Sequence, residues 1–119
     1  MAVTGIGGIL IKAKDPAALN AWYTKCFGVN NTAVNYEPWT QQQGPTVFGF
    51  FPADSDYFPG EQQVMLNFRT DDLDALVAQL KADGVEFAKE IETQEGIGRF
   101  ASILDPEGNR VELWEPSDK

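Results

Sequence analysis

Arg110, Glu112 and Trp114 alternate with Val111 and Leu113 near the end of the chain. In a strand, successive side chains point to opposite faces. Two aliphatic residues sent one way therefore place a cation, a carboxylate and an indole together on the other side. A carboxylate turned into a fold needs a partner, because burying an unpaired charge is costly. Glu112 is thus the leading candidate for chemistry. It can act as an acid, a base or a ligand anchor, serve as a residual metal ligand, or pair structurally with Lys12, Arg69, Arg99 or Arg110. The same alternation sends Val64, Leu66 and Phe68 away from Met65, Asn67 and Arg69, and sends Ile9 and Ile11 away from Gly8, Leu10 and Lys12. Together with Trp39, Phe48 and Phe50, the residues Gly8, Leu10, Met65, Asn67 and Trp114 form a candidate ligand-binding lining. Its aromatic members suit a planar or cationic ligand, and they suit a collapsed core equally well.

Other chemistries are excluded by what is absent. The chain has 119 residues and no histidine. A Ser-His-Asp triad, a Cys-His dyad and a His-based zinc site are therefore ruled out. Cys26 is the single cysteine, so no internal disulfide forms, which fits a reducing cytoplasm. It lies on an apolar helical stripe and reads as packing rather than as a reactive thiol. Eighteen acidic residues against nine basic ones give a net charge of -9. That balance repels nucleic acid and anionic lipid. The first residues show neither a leader nor a membrane span. The expectation is a cytoplasmic protein whose partners are a small molecule and a second copy of itself.

The elements that must position these residues occur twice. Gly5 to Ala13 reads as a strand. Asp15-Pro16 then starts a helix with a cap and a proline at the first helical position. Leu19, Trp22, Tyr23 and Cys26 form one apolar stripe, and Gly28 ends the helix. Val64 to Thr70, Asp72, the stripe Leu73, Leu76, Val77 and Leu80, and Gly84 repeat that order. Strand-like segments follow each helix: 31–36 and 46–51 in the first half, then 86–92, 99–104 and 109–114 in the second. Asp105-Pro106-Glu107-Gly108-Asn109 joins the last two as a tight hairpin. Residues 52–61 read as a linker, with Asp54, Asp56 and Glu61 as its solvated face. The fold class is α+β: two βαβββ modules, about 4–51 and 62–116, within a single domain spanning 1–119. Their sheets curve around a shared cavity, with helices on the outer faces.

The paired modules and the run Asp-Pro-Glu-Gly-Asn-Arg-Val-Glu-Leu-Trp at 105–114 resemble the vicinal oxygen chelate superfamily of glyoxalases, bleomycin-resistance proteins and extradiol dioxygenases. The resemblance covers nearly the whole chain. It implies a cavity that, in catalytic members, holds a divalent metal through the first and last strands of each module. Carried onto this sequence, those four positions are Gly8, Phe48, Met65 and Glu112. Glu112 alone offers a hard oxygen donor, so no metal site and no cofactor are expected. The resemblance points to a metal-free small-molecule-binding protein of the glyoxalase/bleomycin-resistance type. The alternatives are a glyoxalase-like lyase or isomerase using Glu112 as metal ligand or base, and a protein–protein interaction module with a filled cavity.

Overall fold

Two helices arise from the same local chemistry. In a computed structural model, which describes residues 2–29 and 39–117, α1 spans Pro16–Phe27 and α2 spans Leu73–Ala82. The Asp15 carboxylate accepts the Ala18 amide at 3.1 Å, and Asp72 accepts the Ala75 amide at 3.1 Å. Each bond satisfies one of the orphan amides of a helix start. Gly28 closes α1 in the left-handed region, φ 71°, and its amide donates to the Thr24 carbonyl. No helix among the described residues is long and apolar enough to cross a membrane.

Four strands form one open mixed sheet: β1 Leu66–Arg69, β2 Glu86–Gln94, β3 Gly98–Leu104 and β4 Arg110–Pro116. Their order is β1-β4-β3-β2, with β1 parallel to β4 and the other pairs antiparallel. With α2 between β1 and β2, residues 66–116 complete one βαβββ unit. One sheet face is apolar. Ala101, Ile103, Val111 and Leu113 are buried with Leu19 and Tyr23 of α1 and with Leu73, Val77 and Leu80 of α2. Leu66 and Phe68 pack against that cluster, as the alternation requires.

The Asp105–Asn109 turn is more than a hairpin. The buried Asp105 carboxylate accepts the Glu107 and Asn109 amides and the Asn109 side chain, at 2.8, 3.0 and 2.9 Å. It also accepts the Tyr23 hydroxyl at 2.7 Å, which ties α1 to the sheet. Glu107 accepts the Lys14 and Asp15 amides at 2.8 and 2.9 Å. One five-residue turn thus anchors the entrance and the middle of α1. Burial first, and then the bond to Asp105, push the Tyr23 hydroxyl well above its ordinary value of 10.0. A group whose pKa is raised on folding contributes stability that is fully present below the unfolded pKa and lost as pH rises towards the folded one. Stability is therefore expected to fall from about pH 10 upward. Denaturant melts should show the decline, and Tyr23→Phe should flatten it.

The first half departs from expectation. Its helix forms, but residues 5–13 and 46–51 join no ladder among the described residues. The segment 31–36 lies outside the described residues. Ile9 and Ile11, expected to pack on a helix, are exposed, and so is Val64. An extended segment with no neighbouring strand has nothing to hold its apolar face against a helix.

Candidate functional site

The sheet register brings the polar residues together on the face opposite the core. Glu112 lies beside Asn67 on β1 and Ser102 on β3, and Phe100 pairs with Trp114. Glu112 Oε1 accepts the Asn67 side-chain amide at 2.7 Å. Its Oε2 accepts the Tyr57 hydroxyl at 2.9 Å. Both donors are neutral. Among the described residues no ion pair to Glu112 forms, and Arg110, Arg99 and Arg69 make other contacts. The Arg110 guanidinium lies 3.9 Å from the Tyr57 ring centroid, donates to the Ser102 hydroxyl at 3.1 Å and donates to the Tyr57 carbonyl at 3.2 Å. Arg99 makes a bidentate contact with Asp74 at 2.8 and 3.1 Å, which holds the Asp74 carboxyl below its usual range. Arg69 donates to the Gln42 carbonyl at 3.0 Å. Lys12 sits on the exposed 5–13 segment.

Around Glu112 is a cleft of about 190 Å³, lined by Phe51, Tyr57, Phe100, Glu92 and Lys89 among others. Tyr57 stacks on Phe51 at 5.7 Å, and Phe51 meets Phe58 edge to face at 5.1 Å. A Lys89–Glu92 ion pair of 3.1 Å stands among the lining residues. Burial, followed by the hydrogen bond to Glu112, raises the Tyr57 hydroxyl above its ordinary pKa. It therefore remains a donor at neutral pH. The arrangement presents a carboxylate, oriented by two neutral donors, in the lining of a cleft beside Phe51, Tyr57 and Phe100. Such a site favours a ligand with a positive or N–H-donating group on a flat body.

The expected lining is only partly assembled. Asn67 is in the site as a partner of Glu112. Trp114 lies on the same face but supports the wall from behind: it stacks on Phe100 at 6.0 Å, and its indole N–H donates to the Ile97 carbonyl at 3.0 Å. Gly98 permits this approach, since a Cβ there would collide with the Glu115 carbonyl oxygen. Met65 is half-buried just before β1. Gly8, Leu10, Trp39, Phe48 and Phe50 are exposed and do not line the cleft. Sequence reasoning missed Tyr57, Phe51 and Phe100. The available signal was the aromatic cluster Phe51, Tyr57 and Phe58 in and beside a segment read as a solvated linker.

The profile of the Glyoxalase/Bleomycin resistance protein/Dioxygenase superfamily matches residues 5–113. The chain belongs to this superfamily. Among solved structures it is similar to TnmS3, an antibiotic binding protein from Streptomyces sp. CB03234, at 25% identity and TM-score 0.64, over 98% of this chain and 99% of that one. It is also similar to a superfamily member from Sphaerobacter thermophilus DSM 20745, at 17% identity and TM-score 0.61, over 97% and 99% of the two chains. Lactoylglutathione lyase from Agrobacterium tumefaciens matches at 17% identity and TM-score 0.60, over 97% and 96%. At that identity the last two likenesses show the fold alone. No curated protein matches the sequence.

At the four positions where the resemblance would place a metal, the residues present do not fit one. Gly8 and Phe48 carry no donor atom, and the thioether of Met65 suits soft ions. Among the described residues no three Asp, Glu or Cys side chains converge to hold a metal. Elemental analysis after dialysis is expected to find far less than one Zn²⁺, Ni²⁺, Mn²⁺ or Fe²⁺ per chain. About one equivalent, lost in Glu112→Ala, would contradict this.

Proposed function

We propose that this protein binds a small molecule in the cleft at Glu112 and holds it without a metal. The observation that carries the proposal is the state of Glu112: a carboxylate hydrogen-bonded by Tyr57 and Asn67, with no cation paired to it among the described residues, beside aromatic side chains. A structural acid would have taken Arg110, which lies two residues away on the same face. Arg110 instead holds Tyr57 in place, so the charge of Glu112 is left for a ligand. A planar aromatic cation satisfies both the charge and the aromatic surfaces. The antibiotic binding protein among the similar structures supports a binding role. In this reading Glu112 anchors the ligand, Asn67 and Tyr57 orient the carboxylate, and Trp114 braces the wall.

The first half, 4–51, is a second βαβββ module whose strands await a ladder, and it contributes Gly8, Leu10, Trp39, Phe48, Phe50 and the neighbouring Met65 to a larger cavity once assembled. The protein works in the cytoplasm as a homodimer. The test is a tryptophan-fluorescence titration with three ligand classes: planar aromatic cations, neutral aromatics and glutathione thioethers. Saturable quenching by the cations at micromolar concentrations is expected. Absence of saturation by any class would reject the binding role. Preferential binding of glutathione thioethers would favour the lyase reading.

A further inference from the structure

We infer that Lys89 and Glu92 form a second contact in the cleft and select a planar monocation whose far end carries a neutral amide group. This rests on the binding reading above and narrows its ligand. The sheet register places both residues. Lys89 pairs with Ser102, and Ser102 with Glu112, so Lys89 and Glu112 stand in one row, two strands apart. At the usual strand spacing that is about 10 Å between their Cα atoms. In the next row Glu92 pairs with Phe100, and both line the cleft.

Two irregularities of β2 produce this placement. From Phe87 to Lys89 the strand advances two residues while β3 advances one, from Ile103 to Ser102. From Lys89 to Glu92 it advances three while β3 advances two, from Ser102 to Phe100. Phe87 and Ile91 both pack against the core, so plain alternation would turn Lys89 towards the core as well. The irregularities turn it to the cleft instead, as β-bulges beside a site do. They also make an ion pair possible. Lys89 Nζ and Glu92 Oε1 are 3.1 Å apart although the residues are three positions apart, a spacing that sends the side chains of a regular strand to opposite faces. The pair adds little to the fold: its side chains are 47% and 54% exposed, and ion pairs at such exposure contribute little stability.

What the pair can do is recognise. Lys89 and Glu92 offer a donor and an acceptor side by side, and an amide answers both with its carbonyl and its N–H. Charge balance selects that group over a charged one. Among the residues lining the cleft, one ammonium and two carboxylates leave a net charge of -1, which a single positive charge at Glu112 cancels. A carboxylate at the far end would expel Glu92 from Lys89, and a second cation would expel Lys89 from Glu92. Either exchange leaves one member of the pair without its counter-charge.

The probes are a naphthamidine carrying a carboxamide at its far end and its methyl, carboxylate and bis-amidine counterparts, each titrated by calorimetry. The wild-type protein should bind the carboxamide about tenfold more tightly than the methyl probe, roughly the worth of one or two net hydrogen bonds, and more tightly than either charged counterpart. Lys89→Met releases Glu92 and should move the preference to the bis-amidine. Glu92→Gln releases Lys89 and should move it to the carboxylate. Lys89→Met combined with Glu92→Gln should bring the carboxamide-to-methyl ratio to near one. Ratios between probes measured on the same protein do not depend on how much of a variant is folded. A wild-type protein that ranks the far ends equally or prefers a charged one, or variants whose preference does not follow the charge removed, would overturn the inference and leave the binding role of Glu112 standing. Failure of every amidine to bind the wild-type protein would reject that role and the inference with it.

Discussion

Glu112→Gln is expected to weaken binding of a planar aromatic cation by roughly 30- to 150-fold while leaving the melting temperature nearly unchanged. The carboxylate contributes a charge-assisted contact of about 2–3 kcal/mol, which corresponds to roughly 30- to 150-fold in affinity. The glutamine keeps one oxygen to accept from Asn67, and its amide can donate to the Tyr57 hydroxyl, which rotates to suit. Because no cation among the described residues is paired with Glu112, neutralising it strands none of them. The cost to stability should stay below about 1 kcal/mol. Thermal melts beside equilibrium dialysis separate the two effects. A large loss of stability with unchanged binding would make Glu112 structural and leave the aromatic wall as the candidate site.

The largest effect on stability is expected at Asp105, which does not line the cleft. Its carboxylate accepts four hydrogen bonds, one of them from the buried Tyr23 hydroxyl. Asp105→Ala leaves those donors without an acceptor and loosens the turn that carries Glu107 to the start of α1. A loss of about 3 kcal/mol is expected, or roughly 10–15 °C in melting temperature for a chain of this size. Tyr23→Phe removes one of the four bonds and should cost about 1 kcal/mol. In the double variant the cost of losing Tyr23 should shrink, since its acceptor is already gone. Independent, additive losses would show that the α1 tether carries little of the effect.

How much of this was legible in the sequence depended on where each residue's partner lies. Helix starts and stops were readable because their partners are local: Asp15 and Asp72 cap amides three residues away. The split between Val111 and Leu113 on one side and Arg110, Glu112 and Trp114 on the other was readable because strand alternation is a backbone property. The partner of Glu112 was not readable. Electrostatics alone favoured a cation, and Tyr57 reaches Glu112 from 55 residues away through a segment with loop composition. The role of the Asp105 turn was half visible. Its residues specify a hairpin, but nothing local shows that Asp105 and Glu107 reach back to α1. The strand reading of 5–13 and 46–51 does not hold in the structure, because alternation marks a segment able to form a strand but does not supply the neighbour that a strand needs.

The most direct test of the binding claim is isothermal titration of the wild-type protein with a planar aromatic cation and its neutral isostere. Saturable binding near one equivalent per chain is expected, with the cation at least about tenfold tighter than the isostere, a difference of about 1.4 kcal/mol that reports the charge of Glu112. Equal affinity for both, or no heat with either, would contradict it.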